Sequence, residues 1–471
     1  MNIVTRGHSF EDAVRQILQL FFDLNSEFTA ESVLQIEENS YIAKAKVTLG
    51  EKNAEGEIKA ELFSPEKRQV SDLVKKSVFF ACKKLSDMPT PWGISTGIRP
   101  AKTARMMLDE NKTDAEILAF MEDEFFIMPK KAKLSLDVAK TEHKLLENRA
   151  DNTISLYIGI PFCPTRCAYC SFISQAVKHN QKFVTPYVEA LLKEIEATAH
   201  MAESFGYKAE TIYFGGGTPT TLSPEHLDTL IKSVKESFDV TSLREFTVEA
   251  GRPDTFTDEM LAVLWENGVN RISINPQTMN QKTLDKIGRR HSVEDTIRAF
   301  EMARKYDFSI NADLIAGLPD ENTEDFRKTV EEVCALSPHA VTVHTMYLKR
   351  AARLISDFEK LRFAKDMDSM VQLSYDFLTE RGYSPYYLYK QKNTLGNLEN
   401  VGFSRNGHES LYNIFIMEEI QTILAMGGGA STKMVKGDRI ERVFNPKEAS
   451  DYINRIDEII EKKKTALEFL R

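Results

Sequence analysis

Three of the chain's five cysteines fall within one short run, Cys163-Pro-Thr-Arg-Cys167-Ala-Tyr-Cys170. A C-x3-C-x2-C spacing puts three thiolates on one loop, within reach of three corners of a [4Fe–4S] cubane. A cubane needs four ligands, so its fourth iron is left without a protein donor. That iron can bind a bidentate small molecule through an amine and a carboxylate. Structural zinc competes for such a motif, but it usually shows paired C-x2-C elements and four N or S ligands. No second Cys/His cluster lies nearby in the sequence, so the spacing favours the cluster.

Other residues could serve the same chemistry. Gly215-Gly216-Gly217-Thr218-Pro219-Thr220 lets backbone approach a ligand without interference from Cβ atoms, and its carbonyls can receive an ammonium group. Glu249 is a carboxylate suited to a ribose diol. Arg289, in Gly288-Arg289-Arg290-His291, offers a guanidinium to a carboxylate. Gln277 and Asp313 are further polar residues at the ends of apolar runs. Singly, each has a plain alternative: a tight turn, a strand-end surface acid, a solvated helix-end charge or a structurally paired carboxylate. Their meaning depends on the elements that carry them.

Those elements begin at residue 154. Apolar, β-rich runs occur at Ser155–Ile160, Thr211–Phe214, Glu245–Ala250, Arg271–Asn275, Phe308–Leu314 and Ala340–Met346, separated by helical segments near 180–203, 223–238, 257–268, 279–288, 293–306 and 324–336. Ser223-Pro224 and the Ser292/Asp295 pair mark two helix starts. Strands alternating with helices imply right-handed crossovers and a parallel sheet. Six units are two short of a closed eight-stranded barrel, so the expected fold class is α/β, an open partial (βα)6 barrel. The cysteines follow its first strand, the glycine run its second and Glu249 its third. Gln277 and Asp313 belong to the ends of the fourth and fifth. Ligands in such sheets bind beyond the carboxyl ends of the strands, so all these candidates share one rim.

Residues 1–150 read as a separate α+β module, with a helix over Ser9–Asp23, strands at Val33–Gln35, Tyr41–Thr48 and Gly56–Phe63, and helices from Pro65 to Asn148 broken at Met88–Gly93. The partial barrel occupies 151–350. A mixed α/β region, 351–471, has a helix at Asp366–Arg381 and an aromatic, amide-rich stretch from Tyr383 to Phe403, and is expected to cover the barrel mouth.

The segment Leu156-Tyr157-Ile-Gly-Ile-Pro161-Phe162-Cys163-Pro-Thr-Arg-Cys167-Ala-Tyr169-Cys170 resembles the cluster motif of the radical S-adenosylmethionine (SAM) oxygen-independent coproporphyrinogen III oxidase family. Gly215-Gly-Gly-Thr-Pro-Thr, Val248-Glu249-Ala250, Ser273-Ile-Asn-Pro-Gln277, Gly288-Arg289-Arg-His291 and Asp313-Leu-Ile-Ala-Gly317-Leu-Pro319 follow in that family's order. The resemblance covers roughly residues 150–435. Pro91-Trp92-Gly93-Ile94 and Tyr387–Asn393 through Gly396–Gly402 are similar to its HemZ-like branch.

The resemblance implies a radical SAM barrel with Cys163, Cys167 and Cys170 on the [4Fe–4S] cluster. It makes Tyr157 the catalytic candidate, beside cluster-bound SAM, with Gly216, Gly217, Thr218 and Glu249 as SAM contacts. Gln277, Arg289 and Asp313, with Tyr169, match residues around a possible second SAM; Tyr347 and Ser431 align loosely with further contacts. The family has a fourth Cys two positions after the third ligand, where this chain has Phe172, and a His where it has Gly159. The implied reaction is oxidative decarboxylation of coproporphyrinogen III to protoporphyrinogen IX in haem biosynthesis, with electrons from a donor such as flavodoxin or ferredoxin. A haem- or tetrapyrrole-binding chaperone on the same scaffold, or another radical SAM tetrapyrrole-modifying enzyme, is the alternative.

Net charge is −9 over 471 residues, which gives no global attraction to nucleic acid. A propionate-bearing substrate needs local cations, for which Lys349, Arg350 and Arg353, just after the sixth strand, are the candidates. Cys82 and Cys334 read as small packed hydrophobes. No apolar run reaches the ~18 residues of a membrane span, and no targeting segment is visible, so the expected location is cytoplasmic.

Overall fold

Alternation of apolar and charged residues shapes the N-terminal strands. The structure, a computed structural model, describes residues 2–22, 27–38, 40–63, 65–147, 150–170, 175–346, 367–391 and 398–471. It divides into two compact units, Met1–Leu136 and Asp137–Arg471, the division falling inside a helix rather than at the expected residue 150.

The first unit contains β1 (Asn2–Arg6), α1 (Glu11–Phe21), β2 (Phe28–Glu37), β3 (Ser40–Leu49), β4 (Lys52–Glu61), α2 (Lys67–Lys83), α3 (Lys102–Asp109) and α4 (Asp114–Phe125), with α5 (Pro129–Leu146) spanning the division. The sheet runs β1-β2-β3-β4, parallel between β1 and β2 and antiparallel elsewhere. Strand β3 buries Ala43, Ala45 and Val47, while the intervening Lys44 and Lys46 lie 3.4 and 3.2 Å from Glu57 and Glu55 on β4. Helix α1 buries Val14, Ile17, Leu18 and Phe21 at helical spacing, and α2 adds Val74, Val78 and Cys82 to the same core. Gly56 permits the close approach of α2, since a Cβ there would lie 2.0 Å from the Ser77 carbonyl oxygen. Burial pushes the Cys82 thiol up, as a packed thiol should be. The sequence reading misses β1, because an alternately exposed edge strand of five residues carries little apolar signal.

The second unit is built on β5 (Thr153–Ile160). The short pair β6 (Phe162–Cys163) and β7 (Gln175–Ala176) follows, then α6 (Val177–Asn180) and α7 (Val184–Ser204). The alternation continues through β8 (Lys208–Gly216), α8 (Pro224–Ser237), β9 (Glu245–Glu249), α9 (Asp258–Glu266), β10 (Arg271–Ser273), α10 (Gln281–Lys286), α11 (Val293–Ala303), β11 (Ser309–Ala316), α12 (Thr323–Ala335) and β12 (Ala340–Thr345). Strands β5, β8, β9, β10, β11 and β12 are neighbours in that order, all parallel. Helix starts are capped as read: Ser223 accepts from the His226 N–H, and Ser292 and Asp295 form a capping box. Cys334 on α12 is half-buried, its thiol pushed up to about 11 by burial.

The region after 350 is not a separate body. After α13 (Met367–Glu380), β13 (Ser384–Lys390) and β14 (Glu399–Ser404) extend the sheet antiparallel beyond β12. Beyond α14 (Leu411–Glu418), β15 (Ile423–Gly427) pairs parallel with β5, and β16 (Ser431–Lys436) and β17 (Arg439–Phe444) continue outward. Helices α15 (Ala449–Asn454) and α16 (Ile456–Leu467) close the chain. The expected cover over the mouth is thus, in its described strands, an extension of both edges into an eleven-stranded sheet. An open βα sheet leaves unpaired backbone on its two outer strands, and these additions satisfy it.

Strand parity then sorts the chemistry. Leu156 and Ile158 on β5, with Ile212 and Phe214 on β8, occupy one face and are fully buried. Ser155, Tyr157, Thr211 and Tyr213 occupy the other, where the Thr211 hydroxyl donates to Ser155 Oγ at 2.7 Å. That polar face is the barrel interior. No described helix is long and apolar enough to cross a membrane.

Candidate functional site

The cysteine loop leaves β5 and is fastened on two sides. Toward β8, the Gly217 N–H donates to the Ile160 carbonyl and the Thr218 N–H to the Phe162 carbonyl, both at 2.7 Å. A Cβ on Gly217 would lie 2.4 Å from the Phe162 oxygen, so only glycine permits this contact. The same contact brings Thr218 Oγ1 to 3.5 Å from Cys163 Sγ. Toward α10, the Ala168 N–H donates to the Ile287 carbonyl at 2.9 Å and the Thr165 hydroxyl to that of Gly288 at 3.3 Å. Cys167 is buried; Cys163 and Cys170 are half-buried. Gly159 is hemmed in by β15, a Cβ there meeting the Gly428 oxygen at 3.2 Å.

Below the loop, the barrel interior carries a chain of half-buried polar groups. Tyr213 donates its hydroxyl to Glu249 Oε1 at 2.5 Å, and its ring stacks on Tyr412 at 4.4 Å and on Tyr157 at 6.1 Å. Burial pushes the Glu249 carboxyl up to about 7; Asp313 reinforces the shift, and the Tyr213 hydroxyl, the Gly216 N–H and His344 oppose it. Burial, with Glu249 nearby, also raises the Tyr157 phenol, which stays protonated. Asp313 accepts from the Asn311 amide at 2.7 Å and lies 3.8 Å from His344 Nε2, whose Nδ1 is 3.3 Å from the Tyr389 hydroxyl. At the opposite end of the strands, Glu245 accepts the Ser410 hydroxyl and the Leu411 N–H at 2.9 and 2.6 Å. That carboxylate binds the N-terminus of α14, whose second residue is Tyr412.

The third side of the loop is cationic. Arg289 is buried, donates to the Asn275 carbonyl, and reaches the Tyr169 hydroxyl at 3.2 Å. Arg252 is buried, donates to both Asp254 oxygens at 2.8 Å, and has Nη1 3.6 Å from Cys167 Sγ. Between these cations the His291 imidazole is pushed down to about 3, by burial first and then by Arg289 and Arg252. Gln277 sits at φ 70°, held by hydrogen bonds to the Asp313 carbonyl and from the Ile315 N–H, each 3.0 Å. Left-handed backbone at a non-glycine costs of order 1–3 kcal/mol and persists where the surroundings over-determine it.

These residues suit an anionic cluster and a polar ligand. Among the described residues, no three His, Cys, Asp or Glu side chains converge as ligands of a single ion. A cubane does not ask for that, because each thiolate takes its own iron. Asn275 Oδ1, Gln277 Oε1 and both His291 ring nitrogens are buried and find no partner among the described residues. Such atoms carry a desolvation cost unless something bonds them. Cys163, Cys167, Cys170, Tyr157, Tyr169, Gly216, Gly217, Thr218, Glu249, Gln277, Arg289 and Asp313 all lie on the rim or interior of one barrel. Ser431 opens β16 on the strand hairpin beyond Gly427, which pairs with Gly159. Lys349, Arg350, Arg353, Tyr347 and Phe172 lie outside the described residues. Sequence reasoning misses Arg252, Tyr213 and His344. For Arg252 a signal existed, an Arg-x-Asp spacing directly after the Glu249 strand.

The Radical SAM superfamily model matches residues 157–333, and that superfamily uses a [4Fe–4S] cluster and SAM. The chain is 39% identical over 422 residues to the oxygen-independent coproporphyrinogen-III oxidase-like protein HemZ of Bacillus subtilis, covering 87% of this chain and 84% of HemZ. It is 32% identical over 325 residues to the heme chaperone HemW of Lactococcus lactis, covering 67% and 79%. Among solved structures it is similar to coproporphyrinogen III oxidase (HemN) from Escherichia coli, a radical SAM enzyme, with TM-score 0.53 and 25% identity over 68% of this chain and 72% of that one. Cluster loop, open parallel barrel and similarity over most of the chain agree, and the chain belongs to the radical SAM oxygen-independent coproporphyrinogen III oxidase family, in its HemZ-like branch.

Proposed function

We propose that this chain carries out oxygen-independent oxidative decarboxylation of coproporphyrinogen III propionates in haem biosynthesis. The observation that carries the reading is the joining of the cysteine loop to the glycine turn, with Cys163 Sγ 3.5 Å from Thr218 Oγ1 and Glu249 on the next strand. Cys163, Cys167 and Cys170 would each hold one iron. When bound, the cluster and SAM supply a 5′-deoxyadenosyl radical able to abstract a propionate β-hydrogen, after which CO2 and one electron leave.

The chain's own residues position these partners. Backbone of Gly216 and Gly217, with Thr218, would hold the amino acid end of SAM, and Glu249 would accept the ribose hydroxyls. Tyr157 would pack beside them and is the catalytic candidate. Arg289, Gln277 and Asp313, with Tyr169, offer polar groups for a second SAM. Lys349, Arg350 and Arg353 would bind propionates. A reduced cytoplasmic setting suits thiolates that hold a cluster, and a flavodoxin- or ferredoxin-class donor would supply the electron.

Similarity to HemW supports a second reading, a haem or tetrapyrrole chaperone on the same scaffold. Anaerobic turnover with SAM, reductant and coproporphyrinogen III separates the two. Matched yields of 5′-deoxyadenosine and CO2, with vinyl products by mass spectrometry, are expected. SAM cleavage without CO2, alongside tight haem binding, would replace the oxidase reading with the chaperone.

A further inference from the structure

Arg252 lies three residues beyond Glu249 and is 3% exposed. Its guanidinium is committed on two sides. Nε and Nη2 donate to the two oxygens of Asp254 at 2.8 Å each. Nη1 is directed the other way, to Thr165 Oγ1 at 3.1 Å and Cys167 Sγ at 3.6 Å. A bidentate carboxylate fixes the plane of the fork, so Nη1–H is presented to the sulfur at a set position. Thr165 belongs to the same loop, two residues before Cys167, so Arg252 holds both the loop and its central thiol.

A buried cation donating to a cluster sulfur acts on electron affinity. One-electron reduction adds a negative charge to the cluster and its thiolates. An N–H···S bond and a nearby positive charge favour that more negative state, and weak screening in the interior strengthens the effect. Arg289 adds a second buried guanidinium to the same side, hydrogen-bonded to the Asn275 carbonyl and the Tyr169 hydroxyl and also interacting with Cys167.

We propose that Arg252, oriented by Asp254, tunes the cluster through Cys167 and raises its reduction potential. The step it assists is transfer of one electron from a low-potential donor of the flavodoxin or ferredoxin class to the cluster. No covalent bond forms or breaks in it, and Arg252 keeps its protons. The proposal rests on Cys163, Cys167 and Cys170 holding a cluster, and it identifies Arg252 as a positioning and tuning residue that does not ligate iron.

The test compares anaerobically reconstituted full-length wild type with Arg252→Gln and Arg252→Lys. Iron and sulfide are measured first, then the midpoint potential by redox titration followed by electron paramagnetic resonance, without substrate. Arg252→Gln is expected to keep its iron while its reduction equilibrium falls tenfold or more, about 59 mV for a one-electron couple. Arg252→Lys, which keeps a charge but loses the fork, should fall between. Full iron content with an unchanged potential in Arg252→Gln overturns the proposal. If that variant assembles no cluster, Arg252→Lys decides: a lowered potential supports the tuning role and a wild-type potential overturns it. Failure of the wild type to assemble a cluster would instead remove the cysteine assignment beneath it.

Discussion

Lys463 on the C-terminal helix α16 and Glu194 on α7 form an ion pair of 2.6 Å with side chains 1% and 0% exposed. Lys463 also donates to the Ala425 carbonyl at 2.8 Å and to Thr198 Oγ1 at 3.3 Å. Glu194 also receives the Gly427 N–H, the Tyr452 hydroxyl and the Asn445 amide, at 2.7, 2.6 and 2.9 Å. Lys463→Met keeps most of the stem and removes the charge, leaving a buried carboxylate with three neutral donors. Breaking a buried pair from one side costs about 3–5 kcal/mol, and the three remaining donors place this case near the lower end, at about 3 kcal/mol. Unfolding entropy of about 2.1 cal/mol/K per residue gives about 0.7 kcal/mol/K for the second unit. The expected fall in Tm is therefore about 4 °C, measured by calorimetry on the metal-free full-length chain. Glu194→Gln/Lys463→Met removes both charges while Gln retains an acceptor for Gly427, so the double variant should recover more than half of that loss. A shift below about 1 °C for Lys463→Met, or simple additivity in the double variant, would refute the reasoning.

Cys163→Ala, Cys167→Ala and Cys170→Ala should each abolish cluster assembly, measured as iron per chain, while Cys82→Ala and Cys334→Ala retain it. Glu249 holds its proton up to about pH 7 against an ordinary 4.5, and its carboxylate is the form that accepts ribose hydroxyls. SAM affinity should therefore rise with pH through about 7, and Glu249→Gln should flatten that profile and weaken binding roughly tenfold, since charge-assisted bonds contribute about 1.5–3 kcal/mol. The same raised pKa means the stability linked to this proton is full below the unfolded value and lost as pH rises through about 7; equilibrium denaturation of wild type and Glu249→Gln at pH 5 and 8 checks the sign. Neutralising Lys349, Arg350 and Arg353 together should raise KM for the porphyrinogen while substrate-free 5′-deoxyadenosine formation continues, measured by chromatography.

The cysteine spacing, the order of βα units and the common rim were legible in the chain because each is a local property. Thiol spacing lies within one loop, and strand and helix periods repeat within a few residues. Glu249 closes β9 as that alternation expects, whereas Gln277 lies four residues beyond β10 and Asp313 lies within β11, three residues before its end. The partners of these residues were not legible. Tyr213 donates to Glu249 because strand parity in two neighbouring strands puts both on the interior face, and Tyr412 stacks on Tyr213 from a helix that starts 166 residues after Glu245, which binds its first N–H. Strands β13 to β17 read as a separate cover, since nothing in their own pattern says which open sheet edge they will complete. Arg252 is one guanidinium among many basic side chains in the sequence. Only the packed chain aims it at Cys167 by locking its other face to Asp254. Residue type and spacing determined which chemistry the chain can hold; the tertiary structure decided which charges face it, because burial and distance, rather than order along the chain, set electrostatic strength.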